Sequence, residues 1–248
     1  MKKILWLGAL LLTVPSVQAG EVRVAVAANF TAPMQEIVPL FEQASGHKVS
    51  LSFGSTGKFY AQIKQGAPYD VFVAADTRTP QKLDGDGLAV PGSRFVYALG
   101  KLVLWSAQPG VVDSQGAVLR KGDFNKLAIA DPKLAPYGAA AQQTLEELGL
   151  WQVVQARLVR GDNITQTRQF AATGNAELGF IALSQITKAG KVREGSWWIV
   201  PSHYYAPIEQ SAVLLSNAAD AEAAQAFLAF LKGPQAAAVI RSYGYELP

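Results

Sequence analysis

The sequence contains no cysteine among its 248 residues and only two histidines, His47 and His203. The absence of cysteine excludes disulfides, cysteine nucleophiles, thiolate metal sites and a lipid-modified cysteine. Two isolated histidines argue against a histidine-rich zinc site and provide no Ser-His-Asp triad. The composition therefore argues against cysteine- and histidine-based metal sites, and we expect neither a directly ligated metal cation nor a cofactor.

Long apolar runs are also scarce, and the one present lies at the N-terminus. Lys2 and Lys3 precede the apolar residues 4–12, and the small residues before Gly20 form a cleavage site after Ala19. This pattern predicts a cleavable signal peptide over residues 1–19, because the run is too short to span a bilayer comfortably. The alternative is an uncleaved N-terminal anchor. Export without a lipid or membrane anchor predicts a protein of the Gram-negative periplasm.

The chain has only a small excess of positive charge. The formal net charge is +3, and removal of Lys2 and Lys3 with the signal peptide lowers it to +1. A nearly neutral chain lacks the basic surface that nucleic-acid binding requires. The sequence therefore predicts no nucleic-acid partner.

Strand-like and helix-like segments alternate along the chain. The predicted strands cover residues 22–28, 49–53, 69–75, 127–130, 157–160 and 176–183, and the predicted helices cover 33–44, 58–65, 80–83, 138–148 and 164–172. This alternation is typical of an α/β protein with parallel sheets.

Two longer β-rich segments interrupt the alternation, at residues 95–107 and 208–215. Each is interpreted as a strand that crosses between two lobes. The predicted first lobe comprises residues 20–98 and 207–248, including two closing helices over 220–231 and 234–242. The predicted second lobe comprises residues 99–206.

Four strand-to-helix junctions contain small or polar residues: Ala28-Asn29, Ser55-Thr56, Tyr137 and Asn163-Ile164. The first N–H groups of a helix lack intrahelical acceptors and lie at the positive end of its dipole. Each junction is therefore a candidate anion site. The alternatives are ordinary helix caps at Ser55, Thr56 and Asn163, and an aromatic packed on a loop at Tyr137.

The Gly54–Lys58 segment, GSTGK, has two further interpretations. It departs from a phosphate-binding loop, because Ser52 replaces the first glycine and Phe59 replaces the magnesium-binding hydroxyl. Ser55 and Lys58 have the spacing of a serine acyl-enzyme, but its companion motifs are absent. A secreted serine hydrolase remains an alternative at this point.

Several segments together resemble the periplasmic molybdate-binding proteins of ABC importers. They are AANFTAPMQEI, SFGSTGKFYAQIKQGAPYDVFVAAD, PGSRFVYALGKLVLW, APYG, ELGFIAL and LKGPQAAAVIRSYGY. The resemblance implies a two-lobed, type II-like binding-protein fold with two crossover strands and no enzymatic activity. It implies molybdate or tungstate as ligand, an ABC permease and its ATPase as partners, and a monomer.

The resemblance also implies the ligand-binding residues Ala28, Asn29, Ser55, Thr56, Tyr137 and Ile164, the last through its backbone. Ala28 stands where some members have threonine, and Asn29 where some have serine, so the Asn29 amide is expected to replace a hydroxyl. Ala182 stands where some relatives have a tyrosine, which leaves Tyr137 as the expected phenol donor. A receptor for another oxyanion, such as sulfate or thiosulfate, is the alternative.

Overall fold

The structure is a computed structural model that describes residues 19–248. Residues 1–18 of the predicted signal peptide lie outside the described residues. The strands are β1 (Glu21–Ala27), β2 (Lys48–Gly54), β3 (Val71–Val73), β4 (Phe95–Gly100), β5 (Leu102–Ser106), β6 (Leu127–Ala130), β7 (Leu158–Gly161), β8 (Leu178–Ala182), β9 (Thr187–Lys188), β10 (Lys191–Val192), β11 (Ser196–Ile199) and β12 (Ile208–Leu214).

The helices fill most of the connections between these strands. They are α1 (Thr31–Ser45), α2 (Thr56–Lys64), α3 (Arg78–Gly85), α4 (Ala117–Lys121), α5 (Pro136–Glu147), α6 (Trp151–Val154), α7 (Ile164–Ala172), α8 (Ala221–Leu231) and α9 (Pro234–Ser242). A short 3-10 helix, Ala28–Phe30, joins β1 to α1.

Ten strands form two five-stranded mixed sheets, and β9 and β10 form a separate antiparallel pair. The first has the order β2-β1-β3-β12-β4, with β1 parallel to β2 and β3, and β12 antiparallel to β3 and β4. The second has the order β11-β5-β8-β6-β7, with β6 parallel to β7 and β8. The predicted α/β class is therefore confirmed. We call each sheet with its covering helices the first lobe and the second lobe.

The chain passes between the sheets at two places. The segment predicted as one crossing strand consists of two strands, because β4 pairs with β12 in the first sheet and β5 pairs with β8 and β11 in the second. Only Lys101 separates them. The chain returns through residues 200–207 to β12. The predicted boundary places the end of the first lobe's first segment at residue 98, whereas β4 extends the first sheet to Gly100. The predicted lobe boundaries therefore remain a proposal.

Both faces of the first sheet are covered, which explains the apolar sequence of β1. Val22, Val24 and Val26 are fully buried in a cluster that includes residues of α1 and α8. Ala25 points to the other face and packs in a cluster with Phe59 of α2. A parallel strand buried on both faces is a nearly continuous apolar run. This packing fixes the end of β1, where the 3-10 helix begins.

In residues 19–248, no single helix is both long and apolar enough to cross a membrane. Only α8 and α9, bent by 57° to each other, meet those criteria when taken together. The same residues contain no cluster of three or more histidine, aspartate or glutamate side chains suited to a metal ion.

Asp70 carries a buried carboxylate that joins β1 to the start of β3. Its oxygens accept hydrogen bonds from Arg23 N at 2.7 Å, Arg23 Nε at 3.0 Å, Arg23 Nη2 at 2.8 Å and Ala219 N at 2.8 Å. Burial by itself raises the pKa of Asp70, but the bonds from Arg23 and Ala219 outweigh it and hold the pKa below its usual value.

We expect Asp70→Asn to lower the free energy of unfolding by about 2 kcal/mol at pH 7, because it removes charge-assisted hydrogen bonds. The folded-state pKa is depressed, so the carboxylate stabilises the fold above its unfolded pKa of about 3.9 and loses that effect as the pH falls through the folded value. Urea unfolding should therefore show the same difference from wild type at pH 7 and pH 5 and a smaller difference at pH 3. The control is Asp123→Asn, at an exposed carboxylate. A difference independent of pH would contradict this explanation.

Candidate functional site

A small cleft lies where the two lobes meet. Most of its lining residues lie at the end of a strand or the start of a helix. They are Ala27, Ala28, Asn29, Gly54, Ser55, Thr56, Ala75, Ala135, Pro136, Tyr137, Asn163 and Ile164. The structure therefore brings all six predicted ligand-binding residues to one cleft. The first lobe contributes the 3-10 helix and α2, and the second contributes α5 and α7.

The first junction places Ala28 and Asn29 in the 3-10 helix directly after β1. Both are buried, and Ala27 before them makes no side-chain cap bond. Because the first N–H groups of a helix have no intrahelical acceptor, these residues can offer backbone donors to a ligand. Ala28 has no other donor, as expected from its side chain.

The Asn29 side chain differs from expectation. Its amide nitrogen donates to Gln210 Oε1 at 2.7 Å and to Tyr245 OH at 2.9 Å, in a buried network behind the cleft. Both amide protons are thereby used within the protein. The expectation that this amide replaces a ligand-binding hydroxyl is therefore wrong, and the backbone N–H of Asn29 is the group left for a ligand.

The second junction supplies two hydroxyls at the start of α2. Ser55 is 3% exposed, and its Oγ has no hydrogen-bond partner among the described residues. Although Ser55 is the N-cap residue of α2, its side chain makes no cap bond. Thr56 Oγ1 accepts a hydrogen bond from Ala75 N at 3.1 Å and keeps its own proton available. A buried hydroxyl without a partner is costly unless a ligand or water satisfies it.

Lys58 does not face Ser55. Its Nζ donates to Asp162 Oδ2 at 2.7 Å, so it pairs with the second lobe at the cleft mouth. A serine acyl-enzyme needs its base within hydrogen-bond reach of the nucleophile. The spacing of Ser55 and Lys58 therefore does not produce a serine–lysine pair in this structure.

Tyr137 lies inside the first turn of α5, one residue after Pro136, rather than before the helix as predicted. Its side chain is buried, and its hydroxyl accepts a hydrogen bond from Gln210 Nε2 at 3.1 Å. Burial, with the neighbouring Tyr245 phenol, raises the pKa of Tyr137 well above its ordinary value. The hydroxyl therefore stays protonated and can act as a donor.

The fourth junction places Ile164 at the first position of α7. Asn163 caps this helix, since its Oδ1 accepts from Thr165 N and Gln166 N, each at 3.0 Å. The predicted cap is thus present. Asn163 therefore satisfies the backbone N–H groups of Thr165 and Gln166. The backbone N–H of Ile164 is left as the donor beside the cleft.

None of the residues that line the cleft, within positions 19–248, is charged. Positive potential comes instead from helix starts, each of which stabilises an anion by about 0.3–1 kcal/mol and more when partly buried. The available side-chain groups are the hydroxyls of Ser55, Thr56 and Tyr137. This set of neutral donors suits a small anion that only accepts hydrogen bonds.

Hydrogen bonds join the lobes around the cleft, so the structure is a closed one. Gly57 N donates to Leu134 O at 2.9 Å, and Thr165 Oγ1 donates to Ala28 O at 3.3 Å. Behind the site, Ser184 Oγ donates to Asn29 O at 3.0 Å. A ligand that needs donors from both lobes favours this closed arrangement.

Sequence reasoning missed the polar residues behind the cleft, namely Tyr97, Ser184, Gln210 and Tyr245. All four are buried. The weak signals were the polar run Glu209-Gln210-Ser211 in a β-rich segment and the terminal tyrosine motif that contains Tyr245. Neither signal identifies the partner of these side chains.

Comparisons with known proteins agree with this geometry. The family model described as bacterial extracellular solute-binding protein matches residues 22–246. The molybdate-binding protein ModA of Azotobacter vinelandii is 60% identical over 230 residues, which cover 93% of this chain and 91% of that protein. ModA of Rhodobacter capsulatus is 55% identical, with 92% and 88% covered.

A solved structure gives the same result. The periplasmic molybdate-binding protein of Azotobacter vinelandii superposes with a TM-score of 0.89 at 46% identity, covering 92% of this chain and 99% of that one. The predicted two-lobed binding-protein fold is thereby confirmed, and these relatives are binding proteins rather than enzymes. This chain belongs to the family of bacterial extracellular solute-binding proteins, in the group of the ModA molybdate-binding proteins.

Proposed function

We propose that the protein captures molybdate in the cleft between its lobes and delivers it to an ABC importer. The observation that carries this proposal is the convergence of four helix starts on one cleft that no charged residue lines. The names of the relatives support molybdate as the oxyanion.

The chemistry of the ligand fits the donors. Molybdate near neutral pH is a dianion without a proton, so it only accepts hydrogen bonds. The proposed donors are the backbone N–H groups of Ala28, Asn29 and Ile164 and the side-chain hydroxyls of Ser55, Thr56 and Tyr137. Hydrogen phosphate must also donate a bond, and an unpaired donor in a buried cleft costs about 1–3 kcal/mol. Sulfate has the same charge but is smaller, so the cleft size must select against it.

Isothermal titration calorimetry with molybdate, tungstate, sulfate and phosphate tests this function. We expect molybdate to bind tightly, tungstate to bind comparably because it is nearly the same size, and sulfate and phosphate to bind at least about 100-fold more weakly, a difference of about 2.8 kcal/mol. The absence of heat with molybdate, or equal binding of sulfate, would refute the proposal. In the second case the protein would be a receptor for another oxyanion.

The transport partners and the cellular location belong to the same proposal. We infer that a signal peptide directs the protein to the periplasm, where it acts as a monomer and without a cofactor. A membrane permease would bind the closed, loaded form and open the cleft, and a cytoplasmic ATPase would drive the cycle. The interlobe contacts, such as Gly57 with Leu134, support a closed form whose shape differs from that of an open one.

A further inference from the structure

Gln210 lies in β12 behind the cleft and does not line it. It is completely buried. The pairing of β12 with β4 shifts register between Gln210 and Ser211, where Tyr97 of β4 is passed over. Such a bulge changes the direction of side chains and often occurs beside functional sites. Here the side chain of Gln210 reaches across to the second lobe.

The amide of Gln210 bonds to three side chains. Its Oε1 accepts from Asn29 Nδ2 at 2.7 Å and from Tyr97 OH at 2.9 Å. Its Nε2 donates to Tyr137 OH at 3.1 Å. Because Tyr97 OH also has Ala74 O at 3.1 Å as an acceptor, the Asn29 amide is the donor that sets the orientation of the Gln210 amide. In this orientation the Gln210 nitrogen faces the Tyr137 hydroxyl.

The remaining protons of the network also have acceptors within it. Asn29 Nδ2 donates to Tyr245 OH at 2.9 Å, Tyr245 OH has Ser184 Oγ at 2.9 Å and Asn29 O at 3.0 Å as acceptors, and Ser184 Oγ donates to Asn29 O at 3.0 Å. The hydroxyl of Tyr137 accepts from Gln210 Nε2, and the neighbouring Tyr245 oxygen already accepts from Asn29 Nδ2. The Tyr137 proton is therefore available to a ligand in the cleft.

We propose that Gln210 is a positioning residue that directs the hydroxyl proton of Tyr137 to the ligand and thereby selects an oxyanion that accepts but does not donate hydrogen bonds. This inference rests on the proposed function. The N–H of Gln210 Nε2 donates to the lone pair of the Tyr137 oxygen that faces the protein interior. Tyr137 can then donate to a bare oxyanion, but it presents no acceptor to a protonated one.

A double-mutant cycle tests the link between the two residues. Molybdate affinity is measured by calorimetry for wild type, Gln210→Met, Tyr137→Phe and the double variant. We expect Tyr137→Phe to weaken binding about tenfold and Gln210→Met about fivefold, because each loses or misdirects one charge-assisted donor. The double variant should bind within about twofold of Tyr137→Phe, since Gln210 acts through the missing hydroxyl.

A selectivity measurement provides a readout that a purely structural role would not change. In Gln210→Met the Tyr137 hydroxyl is free to rotate and accept. Phosphate affinity should therefore stay constant or rise while molybdate affinity falls. Gln81→Met, at an exposed glutamine of α3, is the matched control and should leave both affinities unchanged.

Three results would overturn the inference while molybdate still binds the wild type. The first is that the losses of the two single variants multiply in the double variant. The second is that Tyr137→Phe binds like wild type, which would mean that both amides are reversed. The third is that Gln210→Met lowers only the melting temperature. If Gln210→Met does not fold, Gln210→Glu replaces it, and Tyr137→Phe should then cost less than about twofold in that background. Absence of molybdate binding by the wild type would refute the proposed function itself.

Discussion

Gly138→Ala is expected to lower the free energy of unfolding by about 3 kcal/mol and molybdate affinity by about 100-fold. A Cβ at this position of α5 would lie 2.2 Å from Ala130 O and 2.9 Å from the carbonyl carbon of Asp131. These are backbone atoms at the end of β6, which the second sheet holds in place. The first turn of α5 must therefore move away from the sheet, and Tyr137 moves with it.

Urea unfolding and calorimetric titration measure the two effects of Gly138→Ala separately. Gly85→Ala is a matched control, because Gly85 also lies in a helix and a Cβ there would meet no atom within 4 Å. It should be neutral or slightly stabilising, since alanine favours a helix by about 1 kcal/mol over glycine. Unchanged binding in Gly138→Ala would show that α5 can move without displacing the phenol.

Gly100→Ala is expected to weaken molybdate binding about 30-fold, with a smaller effect on stability. A Cβ at Gly100 in β4 would lie 2.1 Å from Tyr137 OH and 2.7 Å from Gln210 Nε2. The added methyl group would separate these two side chains and push the phenol from its place. The expected loss corresponds to about 2 kcal/mol, the range of one charge-assisted hydrogen bond.

Measuring the molybdate affinity of Gly100→Ala in the Tyr137→Phe background identifies the cause of its loss. Without the hydroxyl, the added methyl group has more room, so Gly100→Ala should cost less there than in wild type. Tyr205→Phe is the control, since Tyr205 is a buried tyrosine in the same hydrophobic core as Tyr137. Its hydroxyl accepts from Leu102 N, outside the cleft. An equal cost in both backgrounds would assign the effect to the backbone of β4.

The junctions of the cleft could be predicted because their signals are local. Strand β6 and helices α7 and α9 occupy the predicted residues, and α1 and α2 begin within two residues of prediction. An apolar strand followed by a polar or small residue and a helix is visible in any window of about fifteen residues. Four such junctions in one α/β chain suggested a common anion site before any distance was known.

The network behind the cleft could not be predicted, because its partners are far apart in the chain. Asn29 and Gln210 are separated by 181 residues, and Asn29 and Tyr245 by 216. Periodicity describes which face of an element is buried, but not which distant side chain it meets. The same limit explains the start of α5, where Gly138 was interpreted as the first helical residue although it is the point of closest approach to β6.

The uncharged lining of the cleft has a consequence for the environment of the receptor. The phenol of Tyr137 keeps its proton because burial raises its pKa, and no acid or base of residues 19–248 lines the cleft. Capture should therefore stay constant over the whole pH range in which the ligand remains a bare dianion. The fraction of receptor with bound ligand would then depend on the ligand concentration and not on the pH of the surrounding medium.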